Sequence, residues 1–72
     1  MPEIEVLSVV ALLEDLPDKR LRRGQVGTVV ADLAPGIYEV EFVDHLGQTY
    51  ALLPLRDGQL MRLHHEPDHQ AA

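Results

Sequence analysis

The stretch IYEVEFVD, residues 37–44, alternates apolar and polar side chains at the period of a β-strand. It places Tyr38, Val40 and Phe42 on one face and Glu39 and Glu41 on the other. Turn chemistry flanks it on both sides. Upstream, in Ala34-Pro35-Gly36, the proline presets one backbone angle and the glycine supplies a positive one. Downstream, DHLG (residues 44–47) closes a second hairpin into TYALL (residues 49–53). Tyr50 and Leu52 are expected to meet Val40 or Phe42 across that ladder, and Pro54 is expected to end the pairing.

Working outward, RRGQVGTVV (residues 22–30) brings two arginines, a glycine and a valine-rich run with a second glycine inside it. Val26 and Val29 are three positions apart, not two, so both face inward only if Gly27 sits in a β-bulge. SVVALL, residues 8–13, reads as a buried strand by its length and paired β-branched residues. Between them, EDLPDKRLRRG has dense charge and no period, a loop of unusual length for so short a chain. LRDG before Gln59 predicts one tight helical turn, and LMRLH, residues 60–64, a closing strand. Five short strands joined in this way imply an all-β domain: a small SH3-like barrel made of a bent antiparallel sheet. The barrel is assigned to residues 1–65 and a polar C-terminal tail to 66–72. The expected core joins Val29, Tyr38, Val40, Phe42, Tyr50 and Leu52.

Seventy-two residues leave room for one core and no separate catalytic domain. Hydrophobic residues make up 46%, which argues against disorder, but only Tyr38, Phe42 and Tyr50 are aromatic. Without cysteine there is neither a disulfide framework nor a thiolate metal site, which suits a reducing cytoplasm. The N-terminus has no basic region and only a short apolar run flanked by acids, so neither a signal peptide nor a membrane span is expected. Twelve acids against six bases give a net charge of −6, which opposes a general attraction to phosphate or anionic lipid.

In order and spacing, VVALLEDLP, LRRGQVGTVV, PGIYEVEFVD, GQTYALLPL and QLMRLH together resemble a family of short bacterial proteins, the domain of unknown function 4926 family. The resemblance spans about residues 8–64 and implies an SH3-like barrel, with no activity to carry over. Such families are associated with genes beside toxin-like proteins, which implies an antitoxin, immunity or accessory role. RRGQVGTVV alone is also similar to the KOW element of ribosomal and transcription factors, where a glycine lets a strand bend near RNA. Glu39, Glu41 and Asp44 on the following strand depart from such a surface, where bases or exposed aromatics would be needed.

The candidate contact residues are therefore those of a protein-binding surface. Lys19, Arg20, Arg22 and Arg23 concentrate four of the six positive charges in one loop, and arginine suits carboxylate or phosphate recognition. The alternative is a solvated loop balanced by Glu14, Asp15 and Asp18. Glu39 and Glu41 share a strand face as an acidic patch and, pointing to water, have nothing to make them an acid–base pair. Leu46, Leu53, Leu55 and Met61 are expected to supply an apolar patch. HHEPDH, residues 64–69, has metal-ligand residue types, but Pro67 breaks any helix that could preorganise them, and no metal or other cofactor is expected. Ser8 is the only serine, and neither a nucleophile elbow nor a phosphate-cradling glycine loop is present, so an enzyme is not expected. The expected partner is another protein, with self-association compatible. The competing expectation is a KOW-like nucleic-acid or ribosome-associated module using Arg20, Arg22 and Arg23.

Overall fold

The computed structural model describes residues 4–67. The chain forms β1 (Val9–Leu12), a 3-10 turn (Pro17–Lys19), β2 (Val26–Ala34), β3 (Ile37–Val43), β4 (Thr49–Arg56), a second 3-10 turn (Asp57–Gln59) and β5 (Leu60–Arg62). All five strands pair antiparallel in one sheet of order β4-β3-β2-β1-β5. The fold is all-β, with the helical turn before the last strand where the sequence places it. The sheet is not closed into a barrel, because β4 and β5 stand as its two edges. Neither edge offers a long unbroken ladder. β5 has three residues, and β4 carries a proline.

That proline corrects one expectation. Pro54 does not end β4 but lies within it, opposite Glu39. The Asp57 N–H donates to the Gly36 carbonyl at 2.9 Å, which fixes the alternation of the ladder. Positions 55 and 53 point their N–H groups at β3, and position 54 points away from it. Pro54 therefore removes a donor only from the free edge, where proline is tolerated and where it blunts pairing with another chain. Pro54→Val restores that donor. It is expected to leave the melting temperature nearly unchanged and to raise concentration-dependent association, read by light scattering.

The core comprises Ile4, Val10, Leu12, Leu21, Val29, Tyr38, Val40, Phe42, Leu55 and Leu60, with Leu16, Ala51 and Leu53 packed against it. Tyr50 and Leu52, expected there, are instead exposed. Their displacement has one cause. Val43 faces Thr49, and counting on from that pair would bring Phe42 opposite Tyr50 and Val40 opposite Leu52. Tyr50 is an extra residue in the ladder, so Phe42 faces Ala51, Val40 faces Leu53 and Tyr38 faces Leu55. A bulge of one residue reverses the faces of everything beyond it. Leu55→Ala should accordingly cost about 2–5 kcal/mol by denaturant unfolding, and Leu52→Ala within about 0.5 kcal/mol of nothing.

Gly27 supplies a second correction. β1 and β2 pair regularly through it, with Val9 opposite Thr28, Val10 opposite Gly27 and Ala11 opposite Val26, so there is no bulge at Gly27. Gly27 and Val29 face the core at the ordinary strand period, and Val26 faces solvent. The irregularities of β2 come later, at Val30 and Leu33, which are the extra residues against β3. The Pro35–Gly36 turn forms as expected, with Gly36 at φ +74°.

The segment between β1 and β2 is folded, not a plain loop. Leu16 and Leu21 exchange both backbone hydrogen bonds, at 2.8 and 3.1 Å, and Leu21 is buried in the core. The Gly24 N–H donates to the Leu12 carbonyl at 2.8 Å, returning the chain to the sheet. Leu21, buried, and Leu16, packed against the core beside it, thus anchor a charged hairpin whose basic side chains face water. Of the tail assigned to 66–72, only Glu66 and Pro67 are described; residues 68–72 lie outside the described residues.

Candidate functional site

Residues alternate across each strand, so the side of the sheet away from the core can be assembled from the register. One row runs Met61, Ala11, Val26 across β5, β1 and β2. The next runs Val9, Thr28, Glu41, Leu52 from β1 to β4, and a third runs Ala31, Glu39, Pro54 from β2 to β4. Ala11 is only 6% exposed although it alternates away from the core cluster, and it lies between Val26 and Met61 on the neighbouring strands. Those two side chains remain 48% and 49% exposed, and Leu52 54%. A strand face carrying valine, methionine and leucine in adjacent rows is what a sheet presents when another body covers it.

Glu39 and Glu41 are the only charges in these rows, and both are half-buried. The Thr49 hydroxyl donates to Glu41 Oε2 at 2.6 Å, which orients that carboxylate along the strand. Neither carboxylate meets a cation among the described residues. Arg56, two residues beyond Pro54 on the same face of β4, pairs with neither. The two acids expected as an acidic strand face therefore stand unpaired, Glu39 between Ala31 and Pro54 and Glu41 between Thr28 and Leu52.

The expected apolar patch of Leu46, Leu53, Leu55 and Met61 is not brought together. Leu55 is buried in the core, Leu53 packs against it, and Met61 points to the opposite side of the sheet. Leu46 is 73% exposed in the β3–β4 turn, where Asp44 Oδ1 accepts from the Leu46 and Gln48 N–H groups at 2.9 and 3.0 Å. The sequence signal for the actual surface was the outward partners of the β1 and β2 core residues, Ala11 and Val26. A bulge at Gly27 would turn Val26 inward; with regular pairing there, Val26 joins the outward face.

Lys19, Arg20, Arg22 and Arg23 are all exposed on the β1–β2 hairpin, and none forms an ion pair with Glu14, Asp15 or Asp18. The acids there serve other groups. Asp15 Oδ1 accepts from the Arg23 N–H at 2.8 Å, and Glu14 Oε2 from Gln59 Nε2 at 3.3 Å. The Arg22 N–H donates to Gln25 Oε1. The backbone of the hairpin is thereby held while its cationic heads stay in water.

An open cleft of about 440 Å³ lies beside the second 3-10 turn, lined by Ile4, Leu13, Tyr38, Asp57, Leu60 and Met61 among others. It meets the apolar face at Met61, and Arg62 also lines it. His65 Nε2 and Glu66 Oε1 are 4.0 Å apart and exposed, and His69 and Asp68 of the histidine motif lie outside the described residues. Among the described residues no group of three or more His, Cys, Asp and Glu side chains converges to hold a metal, and no helix is long and apolar enough to cross a membrane.

Comparison with known proteins adds one finding. The family model described as "Domain of unknown function (DUF4926)" matches residues 6–62, most of the chain and all five strands. No curated protein matches, and no solved structure matches.

Proposed function

We propose, from the premise that the chain belongs to the DUF4926 family, that it is a non-enzymatic protein-binding module working in a reducing cytoplasm. The observation that carries this reading is the outward sheet face, where Val26 and Met61 stay about half exposed beside the nearly covered Ala11 and Leu52 does so two strands beyond Val26. Exposing that surface costs solubility and gains the free chain nothing. A partner that covers it removes apolar area from water at about 25 cal/mol per Å². A domain of this size also has a small core, so partner burial adds usefully to its stability. The concrete version is a neutraliser or accessory subunit of a larger, toxin-like or catalytic protein.

The unpaired cations of the β1–β2 hairpin favour a second reading, a nucleic-acid module. Four phosphate contacts with duplex DNA would give a slope of log affinity against log salt near −3.6. The chain's twelve acids, Glu14, Asp15 and Asp18 of the same segment among them, work against that grip. The test is capture of partners from the native host by the tagged chain, with and without nuclease, alongside two double variants. Leu52→Asp with Met61→Asp should lose a nuclease-resistant protein partner while keeping the wild-type melting curve. Arg22→Glu with Arg23→Glu should lose less. Recovery that depends on RNA or DNA, is steep in salt and vanishes in the arginine variant would instead establish the second reading.

A further inference from the structure

We infer that the occupant of the sheet face is a basic segment of another protein, whose apolar side chains cover Ala11, Val26, Leu52 and Met61 and whose arginine or lysine heads reach Glu39 and Glu41. This rests on the reading of that face as a docking surface and names what docks there. The argument begins with what covering the face would do to its two carboxylates. They lie two residues apart on one side of β3, so their backbone positions are about 7 Å apart. Glu39 stands between Ala31 and Pro54 and Glu41 between Thr28 and Leu52; of these only Thr28 has a side-chain donor, a neutral hydroxyl, and none carries a positive charge. An apolar partner would strip water from two like charges and leave them without a counter-ion, which opposes association strongly. The partner must bring cations, because neither glutamate is paired with one among the described residues.

The same charges argue against a second copy on this face. A two-fold dimer would stack the face on itself and oppose four carboxylates, Glu39 and Glu41 from each copy. Edge-to-edge association through β4 is blunted by Pro54. The net charge of −6 favours encounter with a basic body and orients it before contact. Thr49 already holds Glu41 in place, so one of the two acceptors is ordered before binding.

The test titrates the isotopically labelled full chain with three short peptides that alternate leucine with arginine, with serine or with glutamate. The leucine–arginine peptide is expected to shift the methyl signals of Ala11, Val26, Leu52 and Met61 and the amides of Glu39 and Glu41. Its affinity should fall about tenfold in the Glu39→Gln, Glu41→Gln double variant. Both glutamates lie on the solvent side, so that variant should keep the wild-type spectrum elsewhere. Arg22→Gln with Arg23→Gln should bind as wild type. If the leucine–serine peptide shifts the same signals equally well, the face docks but the inference about charge is overturned. If no peptide shifts the face, both the inference and the docking surface fall. Shifts confined to the β1–β2 hairpin, or face signals that move merely on concentrating the protein alone, overturn it in favour of the loop or of a second copy.

Discussion

Val40→Asp is expected to abolish cooperative folding. Val40 is completely buried, opposite Val29 on β2 and Leu53 on β4, so a carboxylate there would have apolar side chains on both flanks. Burying an unpaired charge in such a place costs several kcal/mol, and a domain this small holds little more than about 5 kcal/mol in reserve. The variant should show no thermal transition by circular dichroism and collapsed amide dispersion. Thr28→Asp makes the matched control. Thr28 is adjacent in the sheet but faces solvent, and the change there should cost no more than about 1 kcal/mol. Equal damage from the two would mean that the face assignment of the central strands is wrong.

Gly27→Val is the second large effect, and its cause is contact, not backbone angle. A Cβ at Gly27 would lie 2.8 Å from Val40 Cγ1, 2.9 Å from the Glu41 carbonyl oxygen and 3.0 Å from Phe42 Cδ2. The carbonyl belongs to β3 and cannot step aside without breaking its ladder. Alanine alone forces a shift, and valine should cost about 3 kcal/mol or more. Gly47 isolates the other mechanism. It sits at φ +81° in the β3–β4 turn with nothing near its missing Cβ, so Gly47→Ala should cost about 1 kcal/mol through backbone strain alone. If Gly27→Ala proves as mild as Gly47→Ala, β2 does not approach β3 as closely as described.

These two positions also show what the sequence could and could not convey. The alternation of Tyr38, Val40 and Phe42 is a local property of one strand, and it survives intact into the core. Gly27 was recognisable as an exceptional position, but bulge and close contact call for the same residue. Only the neighbouring strand decides between them. The faces of β4 were lost to a single extra residue at Tyr50, because a turn composition such as Asp44–Gly47 specifies a reversal without specifying the register that leaves it. Pro54 looked like an end of pairing because its edge position depends on strand order, which is a property of the whole sheet. Leu21 had no period around it to advertise burial; it is held by the Leu16 bridge and by contacts distant in sequence. The site followed the same rule. Glu39 and Glu41 were legible from alternation, while the apolar surface around them is assembled from four strands and appears only once their register is known.

The central claim is that the solvent face of this sheet is the working surface of the protein. Methyl attenuation by a soluble nitroxide, measured for the free chain and for its complex with the recovered partner, tests it most directly. In the free chain the methyls of Val26, Leu52 and Met61 should be strongly attenuated, and those of Val10, Val29 and Val40 untouched. On binding, the first set should become protected while Leu46, exposed in its turn, stays attenuated. Protection of Leu46 with continued attenuation of Val26, Leu52 and Met61 would contradict the account.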